Sequence, residues 1–319
     1  MKTPDIAANK KGIMIHPIVN KQEKRMRALV RIALYLMLTI LVASVPVFIP
    51  DTSTEFIVRA LLCLGLYYIM IRYVDLRSWN ESGLILSKAW VKEGMAGLAI
   101  GALAMGLIFG IEWVSGSLKV TGFGWQGTSS ALWMWPVLAY LIQMISVGFY
   151  EELIGRGYIL RNMTEGFAIG KVSTVQSAII AIVLSSAIFG LAHAGNPNVS
   201  WIALFNIFVA GIMLAVPFVI TGRLSLSIGI HIAWNFFQGG IYGFPVSGLE
   251  VRNSLIEIRQ GGTELWTGGD FGPEGGLAGL LGIVLALIFS LIYLKIKEGF
   301  LALAPDFAQT YKEKRNITD

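Results

Sequence analysis

The chain has 319 residues, of which 55% are hydrophobic and only 14% are charged, and its formal net charge is +5. Its mean hydropathy of +0.67 excludes a soluble globular domain, so we expect an integral membrane protein. The single cysteine, Cys63, excludes an intrachain disulfide and a cysteine-based zinc site.

The polar leader before the first hydrophobic stretch is rich in lysine and arginine. Its cationic part, from Lys21 to Arg31, predicts either contact with anionic lipid headgroups or a solvated basic tail. If the leader is cytoplasmic, 21 of the 25 lysines and arginines lie in cytoplasmic segments, which are 1–31, 72–92, 156–171, 223 and 295–319. Because cytoplasmic loops are enriched in these residues, we expect both termini to be cytoplasmic. This bias accounts for the net charge, so no nucleic-acid partner is inferred.

Hydrophobic stretches long enough to cross a bilayer recur along the chain. About 20 residues of helix cross roughly 30 Å of hydrocarbon. On this basis the sequence predicts an all-α, polytopic membrane protein with about eight transmembrane helices, forming one membrane domain over residues 1–319. The predicted spans are 32–50, 55–74, 94–114, 131–153, 174–194, 201–221, 224–243 and 277–296.

The third stretch carries four glycines. These are Gly97, Gly101, Gly106 and Gly110. Glycines about one helical turn apart let a neighbouring helix approach closely, so we expect this helix to serve packing.

Charged residues lie at the end of the fourth stretch, where hydrocarbon is expected. A charged side chain at the bilayer centre costs roughly 2.5 to 3.5 kcal/mol. Three charged residues close together in such a stretch therefore indicate a function. Residues four apart share a helix face, whereas adjacent residues diverge by about 100°. Glu152 can therefore pair with Arg156 while Glu151 points elsewhere, and Gly155 leaves space for a water beside Glu151. Glu151 is then a candidate general base. The alternative is a pair of interfacial glutamates at a helix end.

Two of the three histidines lie in or at the end of hydrophobic stretches. These are His193 and His231, whereas His16 lies in the polar leader. Phe189 precedes His193 by one turn and is placed to fix its imidazole by edge packing. His231 and Asn235 share a face and offer ring and amide N–H donors, which can stabilise an oxyanion when paired. Each histidine alone is also compatible with a packing or hydrogen-bonding role.

The main irregular segment covers residues 244–276, with eight glycines and five acidic residues. Such a composition is typical of a long loop or hairpin, which the charge bias would make extracytoplasmic. A variable surface loop and a cap over a cavity are both compatible with it.

The three motifs together resemble those of a known family. They are Glu-Glu-x-x-x-Arg at 151–156, Phe-x-x-x-His at 189–193 and His-x-x-x-Asn at 231–235. Their order and content on successive helices resemble the CAAX protease and bacteriocin-processing family of intramembrane endopeptidases, which includes enzymes similar to the Ras-converting CAAX prenyl protease. The similarity covers about residues 131–243, which we expect to be the catalytic core, and all three motifs match without substitution.

The resemblance implies a role for each motif residue. The implied catalytic residues are Glu151, His193, His231 and Asn235, and the implied supporting residues are Glu152, Arg156 and Phe189. Glu151 and His193 would activate the hydrolytic water, and His231 with Asn235 would support the tetrahedral oxyanion. Glu152, through its ion pair, would hold the site together.

Simple counting of alternating spans does not bring these residues to one depth. It places Glu151 towards the cytoplasmic side and His193 near the far end of its helix. We expect the fourth helix to continue to about Asn162, which brings Glu151 to middle depth. The predicted spans are compatible with a site that opens to either face of the membrane.

Other function classes use similar residues. One glutamate and two histidines make a three-ligand zinc set, although the His-Glu-x-x-His helix of zinc peptidases is absent. A transporter also places acids in the membrane, but we find no inverted repeat. A bacteriocin-immunity or other binding protein could retain the motifs without turnover.

We therefore expect a multi-pass protein of the bacterial cell membrane that hydrolyses a peptide bond without a metal or other cofactor. Its expected partners are membrane lipids and a membrane-proximal or lipidated peptide or protein substrate. The sequence is compatible with a prenylated substrate and with one that is not prenylated.

Overall fold

The computed structural model describes residues 18–20, 23–126, 131–251, 253–299 and 301–308. His16, Lys21 and both termini lie outside the described residues.

Eight helices of eleven residues or more form the described part of the protein. They are α1 (Ala28–Phe48), α2 (Thr52–Val74), α3 (Lys88–Val114), α4 (Met134–Phe167), α5 (Thr174–Ala192), α6 (Trp201–Thr221), α7 (Ser225–Asn235) and α8 (Leu277–Glu298). All except α7 are long and apolar enough to cross a membrane. The predicted all-α polytopic membrane fold is confirmed, with seven such helices among the described residues against the predicted eight.

The shorter α7 is the centre of the bundle. It continues as a π-helix over Phe236–Ile241 and packs against α3, α4 and α6. Ten of its eleven residues are buried, so its surroundings are other helices more than lipid. Because protein surrounds it, this helix does not need the full length of a lipid-facing span.

Two small antiparallel sheets lie outside the helices in the described residues. In one, β1 (Val19–Asn20) pairs with β2 (Arg25–Met26), and in the other, β3 (Leu118–Phe123) pairs with β4 (Ile256–Gln260). The second sheet joins the segment after α3 to the glycine-rich segment 244–276.

The described part of the leader is held by buried ion pairs. Arg31 donates to Asp75 at 2.7 Å and to Glu165 at 2.8 Å, and Arg25 also pairs with Glu165. Both arginine side chains are only 1% exposed, so the expected contact with lipid headgroups or solvent is wrong for these two. Arg77 joins the same cluster. Burial lowers the pKa of its guanidinium, but Glu165 and Asp75 outweigh this effect and raise the pKa overall.

Close glycine contacts join α3 to α7. A Cβ added at Gly101 would lie 2.5 Å from the Ile230 carbonyl oxygen, and one at Gly97 would lie 2.9 Å from the Ile230 nitrogen. A Cβ at Gly106 would be 3.2 Å from the nearest atom, and one at Gly110 would meet nothing within 4 Å. The predicted packing role therefore applies to the first two glycines. Since Ile230 precedes His231, this contact sets the position of the candidate site.

The fourth helix extends well past the predicted end of its span at residue 153. It continues as a π-helix over Leu153–Leu160 and then as an α-helix to Phe167, in agreement with the expected continuation past Glu151. Seventeen residues of α4 precede Glu151 and sixteen follow it, so Glu151 lies at the middle of this helix. Such π-helical insertions are frequent at functional sites.

We predict that Gly101→Ala lowers the stability of the protein and that Gly110→Ala does not. The added methyl at 101 meets backbone, so α3 and α7 must separate, and overpacking of this kind costs about 1 to 3 kcal/mol. Thermal unfolding of both variants in the same detergent measures the difference. Equal midpoints for the two variants would show that the close approach is not needed.

Candidate active site

A cavity of about 470 Å³ lies between the helices and reaches from the middle of the bundle to the loops after α5 and α7. Four predicted catalytic side chains line it, which are Glu151, His193, His231 and Asn235. The structure thus brings residues of three separate helices around one space. Phe189 also lines the cavity, whereas Glu152 and Arg156 lie behind its wall.

One carboxylate oxygen joins the first and third motifs. Arg156 Nη1 donates to Glu152 Oε1 at 2.7 Å, and His231 Nδ1 lies 2.8 Å from the same oxygen. Arg156 also donates through Nη2 to the Gly211 carbonyl at 3.2 Å. The Glu152 side chain is fully buried and the Arg156 side chain is 3% exposed. These contacts fix α4, α6 and α7 relative to one another.

The adjacent glutamate has a different environment. The Glu151 side chain is 25% exposed and faces the cavity, in contrast to the fully buried Glu152. Its Oε2 lies 3.8 Å from His231 Nε2, which is longer than a direct hydrogen bond. Of these two adjacent glutamates, Glu151 is therefore the one that a water or substrate in the cavity can reach.

Two glycines of α4 shape the surroundings of Glu151. A Cβ at Gly155 would meet nothing within 4 Å, and this residue lines the cavity, so there is open space one turn beyond Glu151. By contrast, a Cβ at Gly148 would lie 2.7 Å from the Ile232 side chain. The close contact at Gly148 lets α4 approach α7, and the gap at Gly155 leaves room for a small ligand.

The second motif lies at the end of α5. This helix begins with a capping box between Ser173 and Gln176 and ends where His193 follows its last residue. The rings of Phe189 and His193 meet at an edge, with centroids 5.0 Å apart. His193 Nδ1 lies 2.9 Å from the Phe189 carbonyl oxygen. Because a carbonyl only accepts, Nδ1 carries the proton, and in the neutral ring Nε2 is free to accept one.

Arg156 links the second motif to the first. Its guanidinium lies over the Phe189 ring, 4.3 Å from the centroid. The Phe189 ring also meets the edge of His231, at 6.1 Å between centroids. Phe189 therefore packs against both histidines and against Arg156. Its contact with Arg156 is a cation–π interaction, which adds to the buried ion pair between Arg156 and Glu152.

The third motif presents two nitrogen groups to the cavity. His231 and Asn235 lie one turn apart on α7, and both are 7% exposed. Since Glu152 accepts a hydrogen bond from His231 Nδ1, only Nε2 of this ring is directed at Glu151 and the cavity. His231 can therefore donate to a ligand only when both ring nitrogens are protonated.

Sequence reasoning missed a buried carboxylate from the glycine-rich segment. Glu274 lines the cavity and accepts hydrogen bonds from the Ser247 backbone N–H at 2.8 Å and from the Ser247 hydroxyl at 2.9 Å. Trp234, next to Asn235, donates to its other oxygen at 3.2 Å. Asn196, shortly after His193, donates to the Ser247 carbonyl at 2.9 Å. The segment 244–276 is thus fastened to the second and third motifs, and no signal in one sequence marks Glu274 among its five acids.

A metal site is the other arrangement that these residue types can form. Across the described ranges, histidine, cysteine, aspartate and glutamate side chains nowhere form a group of three that could hold a metal ion. The Glu152 carboxylate instead forms an ion pair with Arg156 and contacts His231.

Residues 133–237 match the family model of type II CAAX prenyl endopeptidase Rce1-like proteins. The resemblance to the CAAX protease family is confirmed. The matched segment runs from α4 to α7 and contains all three motifs, whereas the segment that carries Glu274 lies outside it. The match indicates a peptidase of the membrane. No curated protein and no solved structure matches this chain.

We predict that Glu152→Gln destabilises the protein and that Glu151→Gln does not. Removing the buried carboxylate charge leaves Arg156 uncompensated, and breaking a buried ion pair in this way costs about 3 to 5 kcal/mol. Glu151 is partly exposed and makes no comparable pair, so its amide is tolerated. Thermal unfolding in detergent checks both variants. Identical unfolding midpoints would contradict this division between a structural and a cavity-facing glutamate.

Proposed function

We propose that this protein is a glutamate-dependent intramembrane endopeptidase. The observation that carries the proposal is the pair of adjacent glutamates with opposite environments, one locked in a buried ion pair and one facing the cavity. Glu151 faces a cavity that also contains His193, His231 and Asn235. The family match supports hydrolysis of a peptide bond in particular.

The first step forms a tetrahedral intermediate. Glu151 takes a proton from a water molecule, with His193 Nε2 as a second acceptor. The water oxygen bonds to the substrate carbonyl carbon, and the carbonyl electron pair moves onto its oxygen. Asn235 Nδ2 and a doubly protonated His231 then donate to this oxyanion. Preorganised donors of this kind can supply the polarisation that a metal supplies in other peptidases.

The second step releases the product. The oxyanion collapses to a carbonyl, the C–N bond breaks, and Glu151 returns its proton to the departing nitrogen. Glu152 stays charged throughout, because Arg156 and His231 remain bound to it. Its role is to position His231, and it does not exchange protons with the substrate.

The substrate is a peptide or a lipidated protein at the membrane. We also place both termini in the cytoplasm of a bacterial cell, because 20 of the 25 lysines and arginines then lie in segments predicted to be cytoplasmic, Arg156 being buried in α4. An immunity or binding protein would use the same cavity without turnover, so a test must detect a cleaved bond.

We expect Glu151→Gln to abolish cleavage while the protein remains folded, because the amide keeps the volume and removes the base. Comparative proteomics of membranes from a host carrying the wild-type protein or this variant should reveal products that depend on Glu151. The matched control is Glu257→Gln, since Glu257 is exposed on β4, away from the cavity.

Two results, one from this comparison and one from a chelation assay of the same cleavage, would contradict the proposal. The first is the same set of products from wild-type and Glu151→Gln membranes at equal protein levels. The second is cleavage that is lost on chelation and restored by stoichiometric zinc, which would favour the zinc alternative with His193 and His231 as ligands.

A further prediction concerns the third motif. Asn235→Ala should reduce kcat by about 100-fold or more with little change in KM, because an oxyanion donor acts mainly in the transition state. Asn235→Asp should be at least as harmful, since it places a negative charge where the oxyanion forms. Steady-state kinetics on a fluorogenic peptide built from an identified cleavage site measures both. Normal turnover with a raised KM would assign Asn235 to substrate binding.

A further inference from the structure

The helix ends and loops divide the described residues between two faces of the bundle. One face, which we call the basic face, is formed by the start of α1 and the connections 75–87, 168–173 and 222–224. Its parts are joined to one another. Leu224 N donates to the Gly83 carbonyl at 3.0 Å, and Arg31 donates to Asp75 at 2.7 Å.

The opposite face is formed by the connections 49–51, 115–126, 193–200, 242–251 and 253–276. Here too the parts are joined, since β3 pairs with β4 and Asn196 donates to the Ser247 carbonyl. Of the 25 lysines and arginines in the sequence, only Lys119, Arg252 and Arg259 lie in segments predicted for this side, and Arg59 lies within α2. The positive-inside rule therefore makes the opposite face extracytoplasmic.

The cavity is connected to this opposite face. Beyond the helices, its lining comes from His193 and Asn196 and from Val246, Ser247, Leu249 and Glu274 of the glycine-rich segment. Among the described residues, no lining residue belongs to the connections of the basic face. Leu249 is 59% exposed, so the lining reaches the surface there.

A packed layer separates the cavity from the basic face. Tyr158 of α4 is fully buried, stacks on Tyr35 at 3.9 Å between centroids and donates to Asp75 at 3.1 Å. Asp75 and Glu165 then hold the arginines of the basic face. A substrate that approaches from the basic face would have to break this buried network.

We propose that the catalytic cavity opens to the extracytoplasmic face. Its substrate is then an exported peptide, or the outward juxtamembrane segment of a membrane protein, and a chain end in the cytoplasm does not reach the cavity. The identity of the ligand as a substrate rests on the proposed function, but the direction of the opening does not.

The direction can be measured by thiol labelling. Cys63, the only cysteine, is buried and is first replaced by alanine. Gly155→Cys then places a thiol beside Glu151, where a Cβ meets nothing within 4 Å. Leu249→Cys marks the mouth of the cavity, and Lys171→Cys, at an exposed position, marks the basic face. Each variant is exposed to a charged, membrane-impermeant thiol reagent in spheroplasts and in inverted membrane vesicles.

The expected result is labelling of Gly155→Cys and Leu249→Cys in spheroplasts and its loss in inverted vesicles, with the reverse for Lys171→Cys. Labelling of Gly155→Cys from the side on which Lys171→Cys reacts would overturn the proposal. So would unreactive Gly155→Cys in spheroplasts. Because labelling does not require hydrolysis, an outward-opening cavity without Glu151-dependent cleavage would reject the peptidase function alone.

Discussion

The architecture of this site depends on one buried carboxylate oxygen. Glu152 Oε1 accepts from Arg156 on its own helix and from His231 on α7, and both contacts are shorter than 2.9 Å. A charge buried without partners is strongly unfavourable, so this oxygen holds both helices to a narrow range of positions. The same contacts leave Glu151, the neighbouring residue, facing the cavity. Two adjacent acids thereby acquire different environments, which is the property that the proposed chemistry requires.

Backbone contacts make this geometry possible. Side chains at Gly101 or Gly148 would push α7 away from α3 or α4, and a shift of His231 would break its bond to Glu152. The membrane cannot supply a hydrophobic force between these helices, so close van der Waals packing and polar contacts must hold them together. From the opposite face, Glu274 binds Trp234 and Ser247, so the glycine-rich segment supports the same helix from outside the family-matched region.

Much of this arrangement follows from residues four apart on a helix. Their spacing predicted the pairing of Glu152 with Arg156 and the contact of Phe189 with His193, and the long hydrophobic stretches predicted the membrane helices. Contacts between distant segments were not predictable. Nothing local indicates that Glu152 bonds His231, seventy-nine residues later, or that Glu274 is the buried acid of its loop. Nor does glycine spacing tell Gly101, which touches α7, from Gly110, which faces open space. The burial of Arg25 and Arg31 in the leader was likewise not predictable, because it depends on contacts with the distant Asp75 and Glu165.

The most direct test of the shared carboxylate is the protonation of the His231 ring. The chain has only three histidines, so magic-angle-spinning NMR of ¹⁵N-histidine-labelled protein in lipid gives few signals, which His→Gln variants assign. The structure predicts a protonated, hydrogen-bonded Nδ1 for His231 in the wild-type protein and in Glu151→Gln, and loss of that signal in Glu152→Gln. A His231 Nδ1 signal that is unchanged in Glu152→Gln would show that this carboxylate does not hold the site together.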